Sequence, residues 1–282
     1  MSKLNKMFSI RTFFDEQKLE QMAQERYDED RQYPENFSNW YPKIEDVGNF
    51  KIAKVINNQV FTYENVKDMQ ATDMYDKVDW KRMNDILKPT LDILKPGYTY
   101  SIKNGCYSNK FDFNTCITSK FDLPFNLWKI NYTSTMLDTG GYTELVVREY
   151  IPFDKTKLLT IYNGMPLRTE VRVFYNMDAK HIEYMVDYWD YNYCSPNIHN
   201  LTDSVVFKHF HEQLDYNKKL NYVMEYIQNN IRTLKFDNLT GIWSLDFMYV
   251  DDLLDYKGIW LIDMARGPRS TYWDSSRCKG VE

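Results

Sequence analysis

Two aspartates on neighbouring candidate strands are the strongest chemical signal in this sequence. Alternation places Asp246 on an otherwise apolar strand face, and it places Asp263 on the same face as Leu261. A turn centred near Leu254 makes the aspartates direct cross-strand partners, with Cβ atoms roughly 4.5–5.5 Å apart. Carboxylates that close repel unless a proton or a cation lies between them. The pair predicts a Mg²⁺ site; the alternative is a register displaced by one residue, which leaves one aspartate in solvent.

A lysine on a candidate strand is followed by a polar turn. The segment 98–113 carries Lys103 and then Ser108, Asn109 and Lys110. A cation beside a loop that is rich in N–H donors suits a polyphosphate. The alternative is a solvated lysine on an edge strand.

Glu170 and Arg172 lie two residues apart on one candidate strand, so their side chains share a face. They either brace one another or direct Arg172 towards a phosphate. The alternative is an ordinary surface ion pair, which contributes little to stability.

Other polar and aromatic groups have simpler explanations. His209 and His211 point in different directions on a helix and cannot share a metal ion unaided. The acidic cluster at 251–255 is typical of a solvated turn, and the aromatic run at 188–193 of packing. The sequence contains no GxSxG, HExxH, GxxxxGK[ST] or GxGxxG motif, so hydrolase, zinc-protease and P-loop functions lack support.

The elements that position these residues change in type along the chain. Charged segments with helical periodicity at 13–29 and 78–94 predict a mainly helical first third, with a kink or two short helices at Pro89. After Pro96 and Gly97, β-branched and aromatic runs predict strands of one antiparallel sheet at 99–103, 143–151, 169–177, 181–189, 241–250 and 258–265.

Two connections can also be predicted in the sheet-rich part. Residues 178–180 are short enough to join the strands on either side as a hairpin. Apolar positions from Val205 to Ile231, Leu214 among them, keep a helical period and predict one long helix with a face for a sheet. The chain is therefore predicted to be α+β.

Composition narrows the class of protein. The chain has 282 residues, a net charge of −5 and 16% aromatic residues, so it should fold and does not favour general nucleic-acid binding. Four cysteines without CxxC spacing predict reduced thiols, and no apolar run is long enough for a membrane span. These features predict a cytoplasmic protein without membrane contact. The abundance of Tyr over Ala is typical of AT-rich genomes and indicates a viral or low-GC bacterial source. For a viral protein, the predicted location is the host cytoplasm.

Four segments resemble motifs of the cell division cycle 123 (D123) family within the ATP-grasp superfamily. These segments are FSNWYPK (37–43), SIKNGCYSNKFD (101–112), TEVRVFY (169–175) and WLIDMA (260–265). The resemblance implies an ATP-grasp fold, in which the nucleotide lies between antiparallel β-sheets behind a mainly helical N-terminal part. It divides the chain into an N-terminal region at 1–97 and a nucleotide-binding region at 98–282, with the lysine strand, loop and hinge at 98–151 and the metal-binding sheet at 152–282.

The resemblance also implies roles for individual residues. Lys103 and Arg172 would contact the ATP phosphates as catalytic groups, with Glu170 bracing Arg172. Asp246 and Asp263 would hold Mg²⁺. A loop with Ser108, Asn109 and Lys110 would close over the phosphates. A hinge would bind the adenine edge through its backbone, and it would consist of Arg148, Glu149, Tyr150 and Ile151.

One departure from the family pattern bears on activity. Ala265 stands where the family usually has an Asn that would serve as a further metal ligand. The superfamily reaction predicts an ATP-dependent carboxylate–amine ligase or protein-modifying enzyme with a protein or peptide substrate. The family instead implies an ATP-binding assembly chaperone for the gamma subunit of eukaryotic translation initiation factor 2, with Trp40 and Tyr41 as exposed contacts or, alternatively, buried under the sheet. Ala265 leaves a third option, a nucleotide-binding pseudoenzyme.

Overall fold

The structure is a computed structural model that describes residues 16–69, 74–137 and 142–278. Its α-helices are α1 (Glu16–Gln32), α2 (Phe37–Trp40), α3 (Tyr63–Asp68), α4 (Trp80–Ile93), α5 (Leu123–Met136), α6 (Tyr191–Cys194), α7 (Leu201–His211) and α8 (Tyr216–Asn230). Its strands are β1 (Ile44–Asp46), β2 (Lys51–Ile52), β3 (Val55–Val60), β4 (Tyr100–Asn104), β5 (Ile117–Thr118), β6 (Glu144–Glu149), β7 (Thr160–Ile161), β8 (Met165–Pro166), β9 (Glu170–Asn176), β10 (His181–Asp187), β11 (Lys235–Phe236), β12 (Ile242–Val250) and β13 (Gly258–Arg266). The protein is α+β, as its sequence predicts.

The predicted strands belong to two sheets, so the prediction of one antiparallel sheet is wrong. One sheet has the strand order β10-β9-β12-β13-β2, and the other has the order β3-β6-β4-β5. Pairing is antiparallel throughout except between β13 and β2, which run parallel. Short strands β2 and β3 precede residue 97 and escape a pattern search, yet they give each sheet an edge strand. Both sheets therefore contain strands from either side of residue 97.

The five-stranded sheet is covered on one face by helix α8. Val223 and Ile227 of this helix join the buried cluster that includes Val171, Leu245 and Phe247 of the sheet. These strand residues are fully buried, as expected for a sheet face packed against an amphipathic helix. The other face of the sheet is thus left to carry the polar side chains.

The four-stranded sheet is covered in the same manner by α4 and α5. Leu87 and Leu127 pack with Ile102, Leu145 and Val147 in a second buried cluster. Between these strand residues, alternation turns the side chains of the intervening residues to the opposite face. The polar faces of the two sheets meet, and the candidate site lies there.

The hairpin predicted between β9 and β10 is confirmed, since His181 pairs with Asn176 across the turn. The backbone N–H groups of Asp178 and Ala179 donate to the Asn176 side chain, and Lys180 completes the turn with a φ of 53°. Asn is well suited to this position because its short side chain bonds to the backbone that follows it.

The single helix predicted between Val205 and Ile231 is wrong, because the chain breaks between α7 and α8. Leu214, which the periodic pattern counts as apolar core, is fully exposed in the connecting turn. Tyr216 is buried instead, and its hydroxyl donates to the Asp187 carboxylate. By contrast, α4 continues through Pro89 as one helix.

None of the helices in the described residues is long and apolar enough to cross a membrane.

Candidate functional site

A cleft of about 210 Å³ lies between the polar faces of the two sheets. Of the residues predicted to bind ATP and Mg²⁺, all but Asn109 and Arg172 line it: Lys103, Ser108, Lys110, Arg148, Glu149, Tyr150, Ile151, Glu170, Asp246 and Asp263. They come from β4, the loop after it, the end of β6, β9, β12 and β13. Folding thus gathers side chains from distant parts of the sequence around one space.

Lys103 and Asp263 form an ion pair that spans the cleft. Lys103 lies on β4, is 2% exposed and places Nζ 2.9 Å from both carboxylate oxygens of Asp263 on β13. Lys103 is therefore a buried residue on an inner strand, and the alternative of a solvated lysine on an edge strand does not hold. A lysine ammonium so deeply buried needs a charged partner, which the other sheet supplies.

Arg172 and Asp246 form a second, bidentate pair within the five-stranded sheet. Arg172 Nε and Nη2 each lie 2.7 Å from an oxygen of Asp246, its direct partner on the neighbouring strand. The planar guanidinium also lies over the Tyr188 ring at 4.8 Å, and its Nη1 donates to the Thr271 carbonyl. The pair is nearly buried, so it is not the ordinary surface ion pair that was the alternative.

The predicted cross-strand pairing of Asp246 with Asp263 is confirmed, but for a reason that simple alternation misses. A β-bulge at Ile262 shifts the register between Asp246 and Phe247, so Tyr249 pairs with Ile259. The extra residue turns Asp263 into the cleft, whereas Leu261 packs in the helix-covered core. The prediction that Leu261 and Asp263 share a face is therefore wrong.

Glu170 shares the cleft face with Arg172 but forms no described ion pair with it, because Arg172 is bound by Asp246. Burial, reinforced by the nearby charge of Asp246, raises the pKa of Glu170 to about 8. This carboxyl group is thus protonated at neutral pH. A bracing role for a Glu170 carboxylate is not what the geometry shows.

The loop after β4 divides its polar residues between the cleft and the interior. Ser108 and Lys110 line the cleft, and Lys110 Nζ donates to the Tyr188 hydroxyl at 2.8 Å. Asn109 is instead buried and donates to the Thr115 hydroxyl at 3.1 Å. Asn109 therefore fixes the loop, and Lys110 is the member of it that carries a charge to the cleft.

The end of β6 provides both a link between the sheets and backbone groups at the cleft wall. Arg148 Nη1 donates to the Ile262 carbonyl at 2.8 Å, which ties β6 to the bulge of β13. The Glu149 N–H donates to the Lys54 carbonyl, and its own carbonyl accepts from Ser101. Tyr150 and Ile151 follow β6 directly and line the cleft, and no turn or loop backbone hydrogen bond joins either of them to another described residue.

Arg168 is a cleft residue that the sequence analysis missed. Its guanidinium is 2% exposed and binds both oxygens of Asp252 at 3.0 Å, while Nη2 also donates to the Pro152 carbonyl at 2.7 Å. Asp252 is 5% exposed, so its assignment to a solvated turn is wrong. Although burial opposes it, the Arg168 hydrogen bond helps to hold the pKa of Asp252 below its usual value. The period-two spacing of Arg168, Glu170 and Arg172 was the available signal.

The aromatic run at 188–193 also contributes to the site, beyond the packing role that was assigned to it. Tyr188 and Trp189 line the cleft beside Lys110. Burial raises the pKa of the Tyr188 hydroxyl, opposed by the Lys110 charge, so this group stays neutral and accepts the lysine's hydrogen bond.

The FSNWYPK segment contributes two aromatic side chains to the interior. Phe37 is 1% exposed and Trp40 is 0% exposed, and Tyr41 stacks on Phe37 with ring centroids 4.5 Å apart. The backbone N–H of Ser38 donates to the buried carboxylate of Glu144 at the start of β6. Trp40 is therefore no exposed protein contact, and the alternative that placed it under the sheet is the correct one.

The donor set can be tested for a divalent cation. Asp246 and Asp263 supply two opposed carboxylates, and no group of three or more His, Cys, Asp or Glu residues suited to a metal ion is found in the described parts of the chain. Mg²⁺ is commonly bound by one or two carboxylates together with substrate phosphates and water. The residues present fit that mode of binding, and they do not form a complete protein cage.

Two of three comparisons with known proteins found no match. No family model matches the chain, and no curated protein sequence matches it significantly. Among solved structures, the chain is similar to Cdc123 from Schizosaccharomyces pombe, with a TM-score of 0.45 and 15% identity over 88% of this chain and 93% of that chain. At this TM-score and identity, the roles of the cleft residues rest on their own geometry.

Proposed function

We propose that this protein is an ATP-grasp protein that binds Mg²⁺-ATP in the cleft between its two sheets and uses it to activate a carboxylate for ligation. The observation that carries the proposal is the convergence of Lys103, Lys110, Asp246 and Asp263 on one cleft. A site for a nucleoside triphosphate needs two components, which are cations that bind the phosphates and paired carboxylates that bind a divalent ion.

Each residue has a defined part in this proposal. The ammonium groups of Lys103 and Lys110 and the guanidinium of Arg172 would bind phosphate oxygens. The backbone groups of Tyr150 and Ile151, which line the cleft, would bind the adenine edge. Asp246 and Asp263 would hold Mg²⁺, which when bound offsets the negative charge of the phosphates.

The proposed reaction is the formation of an acyl phosphate. An oxygen of the substrate carboxylate attacks the γ-phosphorus, the bond from this phosphorus to the β-γ bridging oxygen breaks, and ADP leaves. An amine then attacks the acyl carbon, phosphate leaves with the C–O bonding electrons, and the amine loses a proton. Lys103, Lys110 and Arg172 would favour the first step, because their positive charges offset the negative charge that the attacking carboxylate brings to the phosphates.

A second candidate is an ATP-binding assembly factor that does not turn the nucleotide over. The observation that favours it is Ala265, which lies two residues after Asp263 on β13, pairs with Ser244 of β12 and has no side-chain oxygen for a metal ion. In this case the nucleotide would stabilise a conformation that binds a protein partner. Product formation separates the two candidates.

The first experiment is a calorimetric titration with ATP, with and without Mg²⁺, followed by an assay of the same samples for ADP and AMP. In the presence of Mg²⁺, the variants Lys103→Met and Asp263→Asn should each weaken ATP binding by about tenfold or more, because the first removes a phosphate contact and the second a metal ligand. The exposed helix pair of Lys88 and Asp92 has the same residue types, so Lys88→Met and Asp92→Asn are matched controls.

The outcomes separate clearly. Mg²⁺-dependent binding that is weakened in the cleft variants and unchanged in the controls supports the nucleotide site, provided that thermal unfolding shows folded variants. ADP in the presence of a carboxylate and an amine supports the ligase, and binding without product supports the assembly factor. Absence of ATP binding by the unaltered protein rejects both.

A further inference from the structure

A second cavity of about 220 Å³ adjoins the cleft at its Lys110 end. Lys110, Tyr188 and Trp189 line both spaces, so the two cavities share a wall. Arg172 also lines the second cavity, and two of its nitrogens, Nε and Nη2, bind Asp246. A group bound in the second cavity would therefore lie beside the cations assigned to the phosphates.

Lys110 gives this second cavity its positive charge, because the charge of Arg172 is offset by the ion pair with Asp246. Lys110 and Arg172 both line it, and no Asp or Glu is among the described residues that do so. Lys110 Nζ is bound by the neutral Tyr188 hydroxyl and lies 4.9 Å from the Tyr188 ring centroid and 5.5 Å from that of Phe111. It forms no ion pair with a described carboxylate, so its charge favours an anion in the space next to it.

The rest of the wall is aromatic. Phe111 and Tyr162 meet edge to face at 5.1 Å, and Tyr193 and Tyr272 lie 4.3 Å apart. Phe111 is 52% exposed and Tyr193 is 49% exposed, so both rings offer uncovered surface at the cavity. Such surfaces favour a planar apolar group that covers them.

Two of these tyrosines are held in a backbone conformation that bulky residues rarely adopt. Tyr162 has a φ of 50° and Tyr272 a φ of 68°. The Tyr162 N–H donates to Asp203 at 3.0 Å, and the Tyr272 hydroxyl donates to the Tyr188 carbonyl at 2.9 Å. Such conformations cost free energy, persist only where the surroundings fix them, and cluster at ligand sites.

We propose that the second cavity binds the substrate that supplies the carboxylate, and that this substrate carries an aromatic ring on the same small unit. The carboxylate would face Lys110 and Arg172, and the ring would contact Phe111 and Tyr193. A free aromatic amino acid and a polypeptide that ends in an aromatic residue share this chemistry. The inference rests on the proposed function, since it names the substrate class of that site.

The test uses N-acetylphenylalanine as the probe, titrated by calorimetry into the full chain with and without a non-hydrolysable ATP analogue. N-acetylphenylalaninamide lacks the charge and N-acetylalanine lacks the ring. Each should bind about tenfold more weakly than the probe or worse, because the first leaves the cations without an anion and the second leaves the rings uncovered.

Variants of the cavity residues show where the probe binds. Tyr193→Ala should weaken probe binding about three- to tenfold and leave ATP affinity unchanged. Tyr222→Ala is the matched control, since Tyr222 is 48% exposed on α8 and does not line the cavity. Lys110→Met should weaken both probe and ATP. Free phenylalanine and glycylglycylphenylalanine then distinguish the two sources, because tighter binding of one assigns the amino acid or the polypeptide end.

The failure of this inference can be distinguished from the failure of the proposed function. ATP binding without saturable probe binding, or a probe affinity that Tyr193→Ala and the amide leave unchanged, overturns the substrate assignment alone. Probe binding that depends on Tyr193 and Lys110 in a protein that binds no ATP retains the anion and ring site and rejects the nucleotide function.

Discussion

Asp246 and Asp263 are direct cross-strand partners, yet each carboxylate is bound by a different cation. Arg172 binds Asp246 at 2.7 Å through two nitrogens, and Lys103 binds Asp263 at 2.9 Å through one. The repulsion expected of two adjacent carboxylates is thus offset by two ion pairs. In the proposed complex, phosphate oxygens and Mg²⁺ would each engage one partner of each pair, so total charge in the cleft would stay balanced.

The first prediction concerns how Mg²⁺ and ATP binding depend on these aspartates. The double variant Asp246→Asn with Asp263→Asn should bind ATP more tightly than the unaltered protein in EDTA, because Arg172 and Lys103 are released to the phosphates. Addition of Mg²⁺ should then improve its affinity by less than about tenfold, since the charged metal ligands are gone. Calorimetry with and without Mg²⁺ measures both effects; weaker binding in EDTA would contradict the prediction.

The second prediction concerns the buried pair of Arg168 and Asp252. Arg168→Met should lower the free energy of unfolding by about 3–5 kcal/mol, because it leaves the Asp252 carboxylate buried without its counter-charge. Urea unfolding measures the loss. The double variant with Asp252→Leu should recover part of it, and Lys88→Met on the exposed face of α4 is the control. The account would be refuted if the double variant lost more free energy of unfolding than the two single variants lose together.

The third prediction is a pH dependence of stability that comes from Glu170. The pKa of this group is about 8 in the folded protein against an ordinary value of 4.5, so between these values unfolding releases a proton. Stability should therefore fall as pH rises through this window, by up to about 1.4 kcal/mol per pH unit from this group. Glu170→Gln should remove that part of the slope, whereas Glu212→Gln, an exposed control, should leave it. Equal slopes in all three proteins would exclude Glu170 as the source.

The fourth prediction concerns the FSNWYPK segment. Trp40→Ala should lower the free energy of unfolding by about 3–5 kcal/mol, because the ring is fully buried with Phe37 and Tyr41. Phe121→Ala, at a position 77% exposed, should change it by no more than about 0.5 kcal/mol. Chemical denaturation of both variants checks this. A mild effect at Trp40 would mean that the segment is not core.

Sequence patterns were sufficient for the long central strands and for the polar residues on them. Period-two alternation located Asp246 because it interrupts a mainly apolar face, and it placed Glu170 and Arg172 on one face. Lys103 was located by the polar turn that follows its strand. The pattern could not reveal the bulge at Ile262. A bulge moves the side chains that follow it to the opposite face of the sheet, and no residue type in the sequence marks its position. It also could not reveal β2 and β3, which are short and partly polar.

Ion-pair partners were the other feature beyond the reach of sequence patterns. Lys103 and Asp263 are 160 positions apart and meet only because two sheets face each other. Arg168 and Asp252 are 84 positions apart, and Asp252 resembles a surface turn residue until its partner is known. The residues that neighbour each member of these pairs in the sequence do not indicate such a contact.

The parallel pairing of β2 with β13 has a consequence for the order in which the protein can form. Lys51 pairs with Trp260, and Ile52 with Leu261, so an edge of the five-stranded sheet joins an early segment to one of the last. During synthesis, β2 cannot find its neighbour until β13 has been made. Asp263 lies on that same late strand, so a nascent chain acquires its sheet edge and its cleft carboxylate together. A ribosome-bound chain that stops before Gly258 should therefore be unable to assemble the cleft.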